Sequence, residues 1–312
     1  FPKLSDLIFY TYIHRNGILH ERYSVFGVKC VLPLNKRELN KFIDLPKGCG
    51  RKGNGGKRTM TEIKQRYEIL DILRGFALIN MIAFHGLWDL INLEGMRLSS
   101  TASHWTYIWQ QGICSLFILL SGFCWSLGKR HFRHGCVVFA AGILVSAVTW
   151  VIMPKQSITF GILTFLGSSM LIMILLEFVL KKIGWKAGLF VSIIFFIGTK
   201  NINSGSLGFG DYTLFRLPEN LYKGYIATYL GFTDPGFAST DYFSLFPWFF
   251  LFLSGYFLYR LFREKGWLSK LKRKAPGKNV LAFMGRHSLI FYLLHQPCLL
   301  LLMELYNIVS PL

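Results

Sequence analysis

Residues 71–85 read DILRGFALINMIAFH, from Asp71 to His85, an apolar run with an acid and an arginine near its start and a histidine at its end. A helix rises about 1.5 Å per residue, so Asp71 and His85 stand about 21 Å apart, most of the hydrocarbon thickness of a bilayer. The stretch therefore reads as a membrane span with polar groups near each face. Ionisable side chains are expensive in that setting and are kept there for pairing or for function.

The composition of the whole chain agrees. Of its 312 residues 52% are hydrophobic, 16% aromatic and only 16% charged, and the mean hydropathy is +0.39. One soluble core of this length would not bury so much apolar surface. Runs close to the roughly 20 residues a helical crossing needs lie at 69–91, 107–127, 135–153, 158–180, 243–262 and 280–307, and a shorter one at 186–200 brings the expected count to about seven. Unpaired backbone groups cannot face lipid, and these runs are too long and too continuously apolar for barrel strands. The expected fold is all-α: a polytopic transmembrane helical bundle formed by residues 60–312.

Positive charge alternates along the chain in a way that orients the bundle. Arg51, Lys52, Lys57, Arg58, Lys64 and Arg66 precede the first span; Lys129, Arg130 and Arg133, then Lys181, Lys182 and Lys186, then a cluster from Arg260 to Lys278 follow on the same side. The other side carries only Arg97, Lys155, Lys200, Arg216 and Lys223. The bias places the amino end in the cytoplasm and the carboxyl end outside. It also accounts for the net charge of +19 as a basic face against anionic lipid, without nucleic acid as a partner.

Residues 1–59 form a basic N-terminal extension that closes on the Gly-rich stretch KGCGRKGNGGKR, Lys47 to Arg58, which reads as linker. It lacks the compact apolar core of a signal peptide. A purine-rich ribosome-binding sequence can encode Gly-Gly-Lys, which lies just before Met60, so 1–59 is expected to be a translated leader or dispensable extension. The six cysteines, Cys30, Cys49, Cys114, Cys124, Cys136 and Cys298, have no metal-type spacing, and neither a structural disulfide nor a zinc site is expected.

Two polar clusters on the first span suggest a path across the membrane. Near its inner end, Asp71 and Arg74 share a helix face, and Gly75 lets a neighbour come close. Near its outer end, His85 lies four residues before Asp89, within reach of a carboxylate that would fix its tautomer. The bland reading of each is an interface marker and a satisfied interhelical hydrogen bond. Outer-side partners are His104 in ASHWTYIWQ, Asp211 and Asp234 in a long loop, and Asp241 with Tyr242 in STDYFSLFPW, which also contains Trp248. Arg286 and His287 open the last run at the inner side, and His295, Gln296 and Pro297 follow within it. A proline there implies a kink with freed backbone groups, read as either structural or ligand-lining.

The succession RGFALINMIAFH, SLFILLSGF, ITFGILTFLG, GFASTDYFSLFPW and GRHSLIFYLLHQP resembles the bacterial branch of the heparan-alpha-glucosaminide N-acetyltransferase catalytic-domain family. The likeness covers nearly everything after about residue 66, in order. It implies a membrane acyltransferase that takes an acetyl group from cytosolic acetyl-CoA, without a metal, and passes it to an amine or hydroxyl of a sugar or glycan on the far side. In the lysosomal enzyme of that family the chemistry is assigned to an asparagine near the outer end of the first helix and a histidine in the loop after it. By position His85 stands for that asparagine, a departure that puts a base where a neutral donor stood, and His104 for that histidine.

The residue chemistry is compatible with this. Acyl transfer from a thioester needs a base for the acceptor and donors for the developing oxyanion. On this reading His85 is the base oriented by Asp89, and His104 is a second base or substrate contact. Asp241, Tyr242, Trp248 and His295 are acceptor-side candidates. Arg74, Arg286 and His287 are donor-binding candidates, with Asp71 holding Arg74. A bacterial plasma membrane is the expected location, with lipids and a homodimer as further partners. An acetyl-histidine intermediate and direct transfer stay open, as do other acyl groups and O-acylation of a surface polysaccharide or lipid-linked glycan. A transporter is the alternative from another class, and no obvious inverted repeat favours it.

Overall fold

The computed structural model describes residues 22–25, 28–31, 67–93, 100–272 and 279–309. The expectations for the linker, for Met60 and for the basic residues from Arg51 to Arg66 lie outside the described residues. The chain divides into two units, 1–63 and 64–312. In the first, β1 (Arg22–Val25) and β2 (Val28–Val31) pair antiparallel, Arg22 opposite Val31 and Val25 opposite Val28.

The second unit is a helical bundle. Its elements are α1 (Glu68–Leu93), α2 (Ser100–Trp125), α3 (His131–Ile152), α4 (Ile162–Leu180), α5 (Trp185–Gly198), β3 (Ser206–Phe209), β4 (Tyr212–Arg216), α6 (Tyr225–Leu230), α7 (Leu245–Glu264), α8 (Leu268–Leu271), α9 (Val280–Arg286) and α10 (Ser288–Val309). Six of these, α1 to α4, α7 and α10, are long and apolar enough to cross a membrane. The expected shorter crossing is α5, with 14 residues.

Neighbouring helices alternate in direction. Gly142 meets Thr164 and Gly135 meets Leu171, so α3 and α4 are antiparallel. Gly188 against Phe257, the Ser254 hydroxyl donating to Ser192 at 3.0 Å, and Phe195 beside Phe250 set α5 antiparallel to α7. Thus α5 returns the chain from the end where α4 finishes to the end where α7 begins. We call these the basic end and the far end.

Close backbone approach fixes the crossing of α1 with α9. A Cβ on Gly75 would stand 2.0 Å from the Leu281 carbonyl oxygen, and one on Gly285 would stand 1.8 Å from that of Asp71. Only glycine permits this contact, and van der Waals packing of this kind is what holds helices together where no water drives them. Aromatic residues fill the centre, with Phe165 of α4 and Phe252 and Phe257 of α7 fully buried. The outer faces are apolar as well: Trp150, Leu175, Phe178 and Phe190 are all more than 60% exposed. A surface so apolar is stable only against an apolar solvent, so this is a membrane protein.

The structure amends three expectations. The run at 107–127 begins as a helix at Ser100, so His104 lies on α2 and not in a loop. The run at 280–307 is two helices, divided at His287 (φ −107°, ψ 29°), and α10 continues through Pro297. The Asn279 side chain caps α9 by accepting from the Ala282 N–H at 3.2 Å. Finally, part of the long loop is a hairpin, β3 with β4, turned at Gly210 (φ 56°) and Asp211. Gly-Asp there supplies the left-handed conformation a two-residue turn needs.

Candidate active site

A cavity of about 1040 Å³ runs through the bundle from the basic end towards its interior. Its mouth is lined by Asp71 and Arg74 of α1, Lys129, Arg130 and His131 at the α2–α3 turn, Arg286 at the end of α9, and His287 between α9 and α10. The α1–α9 contact at Gly75 and Gly285 brings the two arginines to one rim. Arg74 pairs with the buried Asp71 at 3.5 Å, and Arg286 stands 3.9 Å from Glu68 and donates its Nε–H to the Ala282 carbonyl at 3.1 Å. Two buried polar atoms in this wall, Trp125 Nε1 and Ser126 Oγ, have no hydrogen-bond partner. Unsatisfied buried donors are costly, and a cavity wall is where a ligand can satisfy them.

The deep end is built differently. It is lined by His85 of α1, Cys114 of α2, Tyr292 of α10, and Asp241 from the segment before α7. Asp241 is held by distant parts of the chain. Its Oδ2 accepts from the Ile162 N–H at 3.2 Å, capping α4 in place of Gly161, which has no side chain to do so. The Tyr292 hydroxyl donates to the same carboxylate. Around it, residues 156–160 are laced to 239–243: the Thr159 N–H donates to Ser239 Oγ at 2.9 Å, and the Phe243 N–H to the Phe160 carbonyl at 2.9 Å. Phe160 takes a left-handed conformation (φ 58°) that a side chain rarely adopts. Its ring packs on Tyr229 and Phe237, at 5.0 and 5.9 Å, which offsets that strain.

Burial pushes the Asp241 carboxyl up to about 6, with the Ile162 N–H and the Tyr292 hydroxyl opposing the rise. Nearby, Lys200 follows α5. Its Nζ donates to Gln111 Oε1 at 2.9 Å and sits 3.8 Å from the Trp248 ring centroid. Burial brings this amine down to about 8. The exposed Asp234 is lowered by the N–H groups of Gly224 and Gly236.

Of the residues singled out in the sequence, Asp71, Arg74, His85, Asp241, Arg286 and His287 line the cavity, whereas Asp89, His104, Tyr242, Trp248 and His295 do not. The His85–Asp89 pair is replaced by other contacts. Asp89 accepts from Gln296 Nε2 at 3.1 and 2.9 Å, and His85 faces His295, with 4.9 Å between ring centroids. His104 is exposed beside Trp105. The Tyr242 hydroxyl donates to the Thr228 carbonyl at 2.5 Å, tying α6 down. Trp248 is buried beneath Lys200.

Sequence reasoning missed Tyr292, Gln111 and Trp125, whereas Lys129 and Arg130 of the α2–α3 turn were read from it as basic residues of the inner side. Tyr292 had a signal, since it lies three residues before His295 and so shares its helix face. Gln111 and Trp125 had none, because their importance comes from residues far away in sequence. Cys114, Cys124, Cys136 and Cys298 are free thiols.

No curated protein matches this chain, and no solved structure matches it. A family model, described as "Heparan-alpha-glucosaminide N-acetyltransferase, catalytic", matches residues 66–297. That span runs from just before α1, through every residue of the cavity described above, to Pro297. The chain therefore belongs to the heparan-alpha-glucosaminide N-acetyltransferase catalytic-domain family, a family of membrane acyltransferases.

Proposed function

We propose that this protein transfers an acetyl group from acetyl-CoA, bound through the basic end, to an amine or hydroxyl of a sugar or glycan presented from the far end. The observation that carries the reading is that one continuous cavity joins a rim of cations to His85 and Asp241. Coenzyme A is extended, with phosphates at one end and a thioester at the other, and suits a passage of that polarity. Arg74 and Arg286 would hold the phosphates, where guanidinium donors are strongest. Asp71 and Glu68 keep the two arginines in position. The flexible arm would lie along the apolar wall from Met170 to Leu163.

At the deep end, His85 takes the proton from the acceptor as its nitrogen or oxygen attacks the thioester carbonyl. The carbon–sulfur bond breaks, and the departing thiolate takes that proton back from His85. Asp241 would meet the acceptor, and its raised pKa makes it a donor below pH about 6. The basic end is the cytoplasmic one by charge bias, α5 supplies a seventh crossing, and the membrane is a bacterial plasma membrane. His104 is exposed and is a contact for the acceptor outside the cavity.

The test is transfer of radiolabelled acetyl from acetyl-CoA by the purified protein in nanodiscs, against a panel of amino sugars and cell-wall glycans. Label on an acceptor, abolished by His85→Ala in a protein that stays monodisperse, supports the reading. Absence of label together with absence of CoA binding overturns it.

A further inference from the structure

The groups around His85 include one whose arrangement the foregoing chemistry leaves unused. His295 is 9% exposed, in the middle of α10. Its Nδ1 lies 2.5 Å from the Tyr292 carbonyl oxygen. A carbonyl only accepts, so Nδ1 carries the proton and Nε2 is left with its lone pair. Nε2 is buried and has no hydrogen-bond partner. A buried acceptor without a donor is costly, by about 1–3 kcal/mol, and a ring that can answer it is that of His85, whose centroid is 4.9 Å from that of His295 and whose plane is tilted by 56°. The carboxylate of Asp89 is an acceptor like Nε2 itself, and its two oxygens are turned to Gln296 Nε2 at 3.1 and 2.9 Å.

We infer that His295, and not Asp89, is the positioning residue of His85: the rings stand close enough, 4.9 Å between centroids, that a small rotation brings a ring N–H of His85 onto the unpartnered Nε2 and leaves the other nitrogen of His85 as a lone pair towards the cavity. The inference rests on the acyltransferase reading for its use. There, the acceptor's proton passes to that free nitrogen, the acceptor atom bonds to the acyl carbon, the carbon–sulfur bond breaks, and the thiolate recovers the proton. Throughout, His295 keeps His85 in one tautomer and steadies the transient imidazolium. Tyr292 also braces the neighbouring groups, its backbone carbonyl accepting from His295 and its hydroxyl donating to Asp241. One face of α10 thus ties the imidazole pair to the carboxyl at the far side of the cavity. Asp89 serves at one remove, by gripping Gln296 next to His295.

The experiment is the rate at which His85 is carbethoxylated by diethyl pyrocarbonate, read by peptide mass spectrometry on the full chain in nanodiscs. It needs no acyl donor. His295→Ala is expected to slow modification of His85 by about two- to tenfold, the worth of one hydrogen bond. His295→Gln, which returns an acceptor near the position of Nε2, is expected to restore most of the rate and to restore acetyl transfer in parallel. An unchanged rate in His295→Ala overturns the inference, and so does equal slowing in both variants, which would mark His295 as packing alone. If the contrast holds while the wild type neither acetylates an acceptor nor binds CoA, the pairing stands and the acyltransferase reading falls.

Discussion

The two ends of the cavity are built on opposite principles. At the basic end the side chains are long and cationic, and the two arginines pair with Asp71 and Glu68 at 3.5 and 3.9 Å. At the deep end the groups are buried and held by contacts between distant segments. There Asp241 caps a helix 79 residues away, and His85 faces a histidine on α10. Long charged groups near water attract a ligand over distance but fix little about its geometry. Buried groups do the reverse: their positions are set before any ligand arrives, which is what stabilising a transition state requires. A bundle that separates the two functions along its axis suits a substrate whose charged end and reacting end are far apart.

The sharpest way to break this comparison is at His85. His85→Ala should lower acetyl transfer by about 10²- to 10⁴-fold, the usual worth of a positioned base, with little change in acetyl-CoA binding by equilibrium dialysis. Loss of binding on the same scale would mean that the deep end recognises as much as it reacts. Next in size is the joint that brings the rim together. Gly285→Ala places a Cβ 1.8 Å from a backbone oxygen, and overpacking of that kind costs about 1–3 kcal/mol or more. The melting temperature in detergent should fall by several degrees. Gly198→Ala, where nothing lies within 4 Å of the added carbon, is the matched control and should not lower it.

Arg74→Ala sharpens the comparison from the other side. It should raise the KM for acetyl-CoA by about tenfold with kcat largely kept, since a contact made equally in the ground and transition states changes only binding. A fall in kcat without a change in KM would sink the assignment of the basic end to recognition.

The smallest effects are titrations. The Asp241 carboxyl rises from 3.8 to about 6 on folding. Its contribution to stability is therefore present at pH values below 3.8 and lost as pH rises through about 6. Asp241→Asn should flatten the dependence of melting temperature on pH across that window. Lys200 has the opposite sense: its amine falls from 10.5 to about 8, so its contribution is present above 10.5 and lost as pH falls through about 8. After reductive methylation with ¹³C-formaldehyde, the Lys200 resonance should titrate with a midpoint near 8. A midpoint at the ordinary lysine value would mean that the amine is solvated and the far end is more open than drawn.

Legibility in the sequence followed the range of the interactions concerned. The helical bundle, the family likeness and the pairing of Asp71 with Arg74 rest on apolar runs or on neighbours a few residues apart, and these can be read directly. Helix ends were less accurate. His104 sits within α2 because the helix begins at Ser100, ahead of the run read at 107–127, and the break at His287 falls inside an apolar run. The carboxylate of Asp89 shows the reason most clearly. Four-residue spacing offered it His85, but a side chain 207 residues away took it. Local spacing says which partners are within reach and not which of them packing delivers.

By itself the sequence determined the solvent this protein folds in, the helical class and the family, because each follows from composition, run length or motif order. Only the tertiary structure decided what meets what. The glycine contact between α1 and α9 set both arginines on one rim. A loop before α7 was drawn back to cap α4 and so carried Asp241 into the cavity, and α10 was laid along α1 so that His295 came to face His85. These are contacts between segments far apart in the chain, chosen by close packing and by the pairing of buried polar groups such as Asp89 and Asp241, and no local pattern records them.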